Sequence, residues 1–314
     1  MSANGNDIPK PGFNPSIEAF LTANTRLEIE FDFGLSELNR YLGDVALLQM
    51  GASYAELGIA ERRAAHRPRL VSLDADGYRF ADTWSVHAES ETKPGSIALL
   101  KLSGVMRTEG GISNPGIEGL ANDLRAAYAN DNIAGIILET RSGGGESLSG
   151  SMLKSVLSER NKPVIGFAHM AASAAYRALS GTDEIIAASD AAEFGSIGTF
   201  YTIDEKTLSE YRERFKDFYG SNAPNKNGAF RAMLGGDYSK IQKEADDLTT
   251  RFHEEIKRDR PLQGSEARIA DTLGGGMFDA REAKKRGLID GIGNLQYAVR
   301  RLEATKPKYK KKMG

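Results

Sequence analysis

The feature that most constrains this chain is a short apolar run followed almost at once by a serine among small residues. Residues 164–168 read Val-Ile-Gly-Phe-Ala after Pro163, and this β-branched composition is typical of a buried strand. The alanines that follow Ser173, beginning with Ala174 and Ala175, are good helix formers. Ser173 is therefore predicted where a buried strand passes into a helix. A serine there most often only caps the helix, so its neighbours must decide whether it does more.

A second predicted strand, residues 136–139, is followed by the three consecutive glycines Gly143, Gly144 and Gly145. Because glycine has no side chain, such a run lets backbone N–H groups approach another group closely. A flexible turn is the simplest interpretation, and a phosphate-binding loop is disfavoured because no Gly-Lys-Ser/Thr sequence follows. We favour an oxyanion hole for an acyl-transfer intermediate, with one N–H from Gly144 or Gly145 and another from Ala174.

Four motifs occur in a fixed order along the chain. They are Arg-Ser-Gly-Gly-Gly at residues 141–145, Ala-Ala-Ser-Ala-Ala-Tyr at 171–176, Gly-Ser-Ile-Gly at 195–198 and a closing segment at 275–290. Together they resemble the signal peptide peptidase A family of serine–lysine peptidases, which includes the bacteriophage capsid-assembly (prohead) proteases. The resemblance implies an α/β fold of the Clp–crotonase type with stacked βαβ units. It also implies hydrolysis of peptide bonds by Ser173 without a metal or cofactor.

The base that activates Ser173 is predicted to be a lysine. No histidine lies near residues 197–201, where Clp-type proteases carry theirs, and His169 and His253 are interpreted as a packing residue and a solvated helix face. A lysine can accept a proton only as the neutral amine, a form that burial favours. The family carries its lysine in a loop after a polar helix, which matches Lys226. Lys216 is the alternative, disfavoured because the predicted helix includes it.

Three regions are predicted along the chain. They are a mainly helical N-terminal extension with a hairpin (1–90), the Clp–crotonase-like serine–lysine peptidase domain (91–300) and a solvated basic tail (301–314). Within the extension, leucines at three- and four-residue steps, among them Leu42, predict a stripe that packs on a core. A Gly/Asn/Pro-rich loop at 220–228 has little of its own to hold it, which predicts packing against a neighbouring copy. The family resemblance implies that such copies form a ring-like homo-oligomer.

Composition excludes several other classes of protein. The chain contains no cysteine, so disulfides, thiol catalysis and cysteine-based metal sites are excluded. Its net charge of −2 argues against a general nucleic-acid binder. Residues 1–14 are polar and lack the apolar core of a signal peptide, and no apolar run is long enough to span a bilayer. These observations predict a cytoplasmic protein, and the family resemblance implies the host cytoplasm or a phage prohead.

The sequence therefore predicts a serine endopeptidase whose substrates are proteins or peptides. The resemblance further implies a phage or prophage capsid-maturation protease that cleaves scaffold or head proteins. Two alternatives stay open. One is a crotonase-type acyl-CoA hydratase or isomerase, for which Glu146 is the only acid suitably placed beside the glycines. The other is a catalytically silent capsid scaffold or assembly factor.

Overall fold

The computed structural model describes residues 27–74, 77–80, 92–111 and 114–310. The strands, in chain order, are β1 (Leu27–Ile29), β2 (Arg69–Asp74), β3 (Gly77–Phe80), β4 (Ser96–Ser103), β5 (Ile133–Ser142), β6 (Gly144–Glu146), β7 (Val164–Ala172), β8 (Glu184–Ala187), β9 (Glu193–Gly195), β10 (Met277–Asp279) and β11 (Gly291–Ile292). The helices are α1 (Phe31–Gln49), α2 (Ile59–Ala64), α3 (Gly116–Ala129), α4 (Ser147–Ser158), α5 (Ala174–Leu179), α6 (Glu205–Arg214), α7 (Gly228–Leu234), α8 (Ser239–Asp259), α9 (Glu266–Leu273), α10 (Ala280–Lys285) and α11 (Leu295–Lys310).

Nine of the described strands form one mixed sheet. Its main path runs β10-β9-β7-β5-β4-β2-β3, with β8 paired to β7 and β11 paired to β8. Strands β4, β5, β7 and β8 run parallel to one another, and helices α3, α4 and α5 lie between them in the chain. Strand–helix–strand repeats of this kind are βαβ units. The predicted α/β class with stacked βαβ units is confirmed.

The central strands are buried on both faces, which explains their continuous apolar sequences. Ile136, Ile137 and Leu138 of β5 all have zero exposure, as expected of a parallel sheet covered by helices on both sides. One face packs against α3, α4, α5 and α8, and the other packs against α11. Strand β7 pairs with β8 over residues 165–168 and with β9 over residues 170–172. The sheet therefore forks just before β7 ends at Ala172.

The N-terminal part contains the predicted hairpin, but this hairpin extends the central sheet. Strands β2 and β3 pair antiparallel, and β2 also pairs antiparallel with β4. The predicted hairpin covers residues 70–86, of which 75–76 and 81–86 lie outside the described residues. The predicted core-packing stripe of α1 is wrong at Leu42, which is 53% exposed. An apolar stripe indicates which face of a helix is apolar, and it does not supply the surface that would cover that face.

The C-terminal helix continues through the predicted boundary between residues 300 and 301. Leu302 and Thr305 are buried against the domain. The Tyr309 hydroxyl donates to the Asp183 carboxylate at 2.8 Å and accepts from the Arg160 Nε at 2.9 Å. Because these contacts hold the helix to the sheet, residues 301–310 do not form the solvated tail that their basic composition predicted. Residues 311–314 lie outside the described part of the chain.

Candidate active site

Ser173 lies in the turn that joins β7 to α5, as predicted. Its backbone has φ of 54° and ψ of −123°, and a positive φ is uncommon for a residue other than glycine. The Ser173 N–H donates to the Gly195 carbonyl at 2.9 Å, and the Ser173 carbonyl accepts from the Arg177 N–H at 2.9 Å. Strained conformations of this kind persist only where the surroundings enforce them, and they cluster at functional sites.

The Ser173 hydroxyl does not stabilise the fold through a hydrogen bond to any described residue. The residue is only 1% exposed, and its Oγ has no hydrogen-bond partner among the described residues. The side chain does not cap α5 either, so the simplest interpretation of this serine as a helix cap is wrong. A buried hydroxyl without a partner costs about 1–3 kcal/mol. Retaining one in a strained turn is what a nucleophile requires, and a packing role does not explain it.

Small residues let the helices behind Ser173 approach closely. Ala174 and Ala175 are fully buried, and a Cβ built at Gly150 of α4 would lie 3.0 Å from the Ala174 Cβ. As the first residue of α5, Ala174 carries a backbone N–H with no acceptor inside its own helix. The oxyanion role of this N–H stays a prediction.

The glycine run is held in place by the loop after β4. A Cβ at Gly145 would lie 2.0 Å from the Met106 carbonyl oxygen, so only glycine fits there. The Met106 N–H donates to the Gly144 carbonyl at 2.8 Å, and the Glu146 N–H donates to the Met106 carbonyl at 2.9 Å. Strand β6 also contacts α5, which places the glycine run beside the Ser173 turn.

The two predicted oxyanion glycines present their amides differently. The Gly144 N–H faces the Ser142 Oγ at 3.2 Å. Because Gly144 and Glu146 bond to Met106 on one edge of β6, the N–H and carbonyl of Gly145 between them point to the opposite, outer edge. Of the two, Gly145 therefore has the amide that points to the outer edge of β6, away from Met106.

Neither candidate lysine contacts Ser173 within one chain. Lys226 lies in the turns before α7, Lys216 lies in the segment after α6, and both side chains are exposed. The predicted helix over Lys216 is wrong, because α6 ends at Arg214 and the next residue is extended. Helical placement therefore gives no reason to prefer Lys226. The Ser173 Oγ bonds to neither amine, since it has no partner in the described part of the chain.

The other candidate proton acceptors are engaged or remote. The Glu146 Oε2 accepts from the N–H and hydroxyl of Thr108 at 2.8 and 3.0 Å, and Arg107 lies 3.7 Å from its other oxygen. His169 is exposed and lies 3.3 Å from Glu139, at the surface. His253 is half-buried, and burial lowers the pKa of its imidazole, so its predicted place on a solvated helix face is wrong.

An ionic cluster behind the Ser173 turn was not predicted from the sequence. Glu255 of α8 accepts from the Arg177 Nη2 at 2.6 Å and from the Lys154 Nζ at 2.9 Å. Burial alone raises the pKa of Glu255, but these hydrogen bonds outweigh it and lower that pKa to about 2. The cluster ties α4, α5 and α8 together one helical turn after Ser173. The only sequence signal for it is a cation, Arg177, in an otherwise apolar helix.

A cleft of about 550 Å³ lies at the carboxyl ends of β4, β5 and β7. Ligands of open α/β sheets bind at this end of the strands. The cleft is rich in cations, and those that line it are Arg40, Arg62, Arg107 and Arg141. Phe33 of α1 and Met170 of β7 form part of its apolar wall. It is therefore a candidate for the groove that receives a substrate.

No helix within the described ranges combines the length and the apolar character needed to cross a bilayer. A search of curated proteins found no match to the chain.

Similar solved structures include an enoyl-CoA hydratase/carnithine racemase from Magnetospirillum magneticum, which is 14% identical over 69% of this chain and 72% of that chain, with a TM-score of 0.40. An enoyl-CoA hydratase from Shewanella pealeana is 12% identical over 81% of this chain and 78% of that chain, with a TM-score of 0.40. The sequence model of peptidase family S49 matches residues 157–308, a segment that contains Ser173 and Lys226. The resemblance to the signal peptide peptidase A family is thereby confirmed over residues 157–308, which match peptidase family S49.

Proposed function

We propose that this chain is a serine endopeptidase with Ser173 as its nucleophile. The observation that carries the proposal is the Ser173 turn, which holds a buried hydroxyl with no partner among the described residues and a positive φ at the end of a central strand. The match of residues 157–308 to a peptidase family supports the same reaction class. A serine needs an adjacent base to become nucleophilic, so the site also needs a proton acceptor.

In the proposed reaction, the Ser173 Oγ attacks the carbonyl carbon of the scissile peptide bond. The serine proton passes to the neutral amine of Lys226, which later returns it to the leaving amine of the substrate. The N–H groups of Gly145 and Ala174 stabilise the negative charge that develops on the carbonyl oxygen. We prefer Gly145 to Gly144 because the Gly145 amide faces the outer edge of β6. Water then hydrolyses the acyl-enzyme and releases the second product.

We further propose that Lys226 reaches Ser173 from a neighbouring copy in a ring-like homo-oligomer. Lys226 is exposed in the single chain, whereas a lysine base has to be shielded from water so that its neutral form is favoured. Two large apolar side chains in the segment after α6 are also exposed, Phe215 by 52% and Phe218 by 94%. Apolar surface of this kind beside a Gly/Asn/Pro-rich loop supports a protein contact there. A neighbouring copy would cover the phenylalanines and the lysine together.

The finer assignment is a phage or prophage capsid-maturation protease that cleaves scaffold or head proteins. It is supported by the resemblance of the four motifs to a family that includes such enzymes. The crotonase-type alternative needs Glu146 as an acid or base, and the contacts of this carboxylate with Thr108 and Arg107 speak against that role. Absence of binding to an acyl-CoA thioester would remove the alternative.

Labelling with a fluorophosphonate probe tests the nucleophile. The wild-type chain should be labelled at Ser173, as located by mass spectrometry, and Ser173→Ala should neither be labelled nor hydrolyse a peptide. Ser196→Ala is the matched control, because Ser196 also has a positive φ of 51°, so both changes remove one oxygen from a left-handed turn. Labelling that persists in Ser173→Ala would contradict the proposal. The substrate can then be sought among co-expressed capsid proteins by mass spectrometry of their fragments.

A further inference from the structure

The outer edge of β6 is covered by a short strand from the beginning of the described chain. Strand β1 pairs antiparallel with β6, and the partners in register are Leu27 with Glu146, Glu28 with Gly145 and Ile29 with Gly144. The Glu30 N–H donates to the Gly143 carbonyl at 2.6 Å and continues this register. Three residues of β1 therefore cover the candidate oxyanion strand along its whole length.

The register directs the Gly145 amide at β1. In antiparallel pairs, positions that exchange hydrogen bonds alternate with positions that do not. Glu30 and Gly143 are bonded, so the next bonded pair, two residues further along, is Glu28 with Gly145. The orientation of Gly145 away from Met106 leads to the same pairing. The Glu28 backbone thus lies where an extended substrate backbone would meet the proposed oxyanion donor.

Among the described residues, β1 is held outside the ladder by the side chain of Ile29 and by a contact with α4. Ile29 is buried, and it packs with Phe33 and Val105 in a small cluster separate from the main core. The Phe33 ring lies over Gly143, where an added Cβ would come within 2.5 Å of it. A strand of three residues with one small apolar cluster is a weakly held element in comparison with the buried central strands. Exchange with a longer peptide is therefore energetically accessible.

We propose that the outer edge of β6 is a docking edge for an extended substrate peptide, and that Leu27–Ile29 occupy it as an internal stand-in for that peptide. The inference rests on the proposed peptidase function and adds its substrate-binding edge and its regulation. Peptides bind to an open strand edge through main-chain hydrogen bonds, so the ligand class is an extended polypeptide. An apolar side chain at the position of Ile29 fits beside Val105.

The consequence is mutual exclusion between β1 pairing and catalysis. The Gly145 N–H cannot donate to the Glu28 backbone and also stabilise an oxyanion, because one N–H forms one strong hydrogen bond. While β1 is paired, a substrate can therefore use neither the docking edge of β6 nor the Gly145 N–H. Release of β1 frees both at once, so the chain limits its own activity until a substrate strand displaces residues 27–29.

Proline substitution in β1 tests this inference. Glu28→Pro removes an N–H that points toward β6, whereas Leu27→Pro, the matched control, removes one that points away from it. Glu28→Ala controls for the loss of the Glu28 side chain. Loss of one ladder hydrogen bond should shift the equilibrium between paired and released β1 about tenfold toward release. Glu28→Pro should raise the initial rate of peptide hydrolysis about tenfold, while both controls stay close to wild type.

A binding measurement separates this inference from the peptidase proposal. In the Ser173→Ala background, Glu28→Pro should bind a labelled peptide with the sequence of residues 24–32 about tenfold more tightly. It should also speed hydrogen exchange at the Gly145 amide. Neither readout needs catalysis, so an inactive enzyme with both changes would overturn only the proposed function. Unchanged affinity and unchanged exchange would overturn the docking edge, whatever the activity.

Discussion

The two halves of the proposed catalytic pair lie in regions of opposite character. Ser173 is surrounded by fully buried alanines, its backbone is bonded on both sides, and an ionic cluster ties its helix to the rest of the domain. Between residues 199 and 237, in contrast, only Leu208 and Met233 are buried. Lys226 belongs to this second region. A single chain thus holds Ser173, the proposed nucleophile, in a fixed turn, and it leaves Lys226, the proposed base, exposed on a surface.

The difference indicates what each residue needs from its surroundings. A serine nucleophile needs a fixed backbone and a nearby oxyanion donor, both of which a single fold supplies through strand ends and helix starts. A lysine base needs to lose its contact with water, which requires a covering surface. The exposed segment around Lys226 does not bury this side chain by itself. Assembly therefore becomes part of the catalytic mechanism in the proposal above.

The largest expected effect comes from changing the base. Lys226→Ala should lower peptide hydrolysis by about a thousandfold, the usual worth of a general base. Lys226→Arg should be equally inactive, because a guanidinium stays protonated and cannot accept the serine proton. Lys216→Ala is the control on the same exposed segment and should stay active, as measured by kcat/KM. If Lys216→Ala is inactive and Lys226→Ala is active, the base lies at position 216.

Mixing two inactive variants tests whether the base comes from another copy. Ser173→Ala and Lys226→Ala should recover activity when they are unfolded and refolded together. In a random ring, about a quarter of the interfaces would join an intact Ser173 with an intact Lys226. Native mass spectrometry would verify that mixed assemblies form. Mixed assemblies without activity would mean that Ser173 and Lys226 of one site belong to the same chain, which would contradict the proposed shared site.

Acid sensitivity should report on the ionic cluster behind Ser173. The folded-state pKa of Glu255 is lowered from 4.5 to about 2, so this group stabilises the fold above pH 4.5 and loses its contribution as the pH falls toward 2. Between about pH 6 and pH 2, the free energy of unfolding of the wild type should fall by about 3 kcal/mol more than that of Glu255→Gln.

Urea unfolding at several pH values measures this difference. Asp247→Asn is the control, because Asp247 pairs with Lys243 on an exposed face of the same helix and should leave the pH dependence unchanged. If the free energy of unfolding of Glu255→Gln and of the wild type changed equally with pH, the cluster would not stabilise the helices behind Ser173.

The smallest expected effect concerns the exposed phenylalanines. Phe218→Ser should weaken self-association about tenfold while changing the free energy of unfolding by less than about 0.5 kcal/mol, because the side chain contacts little in the single chain. Met50→Ser is the control, since Met50 is 84% exposed and lies after α1. Sedimentation at several concentrations measures the change. Unchanged association would move the contact surface away from the Lys226 segment.

The sequence predicted those features that depend on neighbouring residues. The buried strands and the Ser173 turn follow from local apolar runs and small residues, and both are present in the structure. Features that join distant parts of the chain were not predicted. The pairing of β1 with β6, the bond of Arg177 to Glu255 and the packing of Tyr309 on Asp183 each connect residues far apart in sequence. No local period encodes such contacts, so only the fold brings them together.

The choice between Gly144 and Gly145 illustrates the same limit. Three identical residues in a row carry no difference in sequence, and each can adopt the required backbone conformation. The distinction arises because Met106 bonds to one edge of β6 and thereby directs alternate amides to opposite sides. Met106 lies on a separate loop, and nothing in the glycine run indicates where that loop passes.

The bonds that support the Ser173 turn also determine when it can form during synthesis. Ser173 bonds to Gly195, the adjacent Ser196 N–H bonds to the Gly276 carbonyl, and β10 completes the pairing of β9. Met277, the first residue of β10, is 277 − 173 = 104 residues after Ser173 in the chain. At a synthesis rate of about 5–20 residues per second, the ribosome needs about 5–20 s to add them. A growing chain therefore carries Ser173 for several seconds before the strands that support its turn have been synthesised, and during that time the turn lacks these backbone bonds.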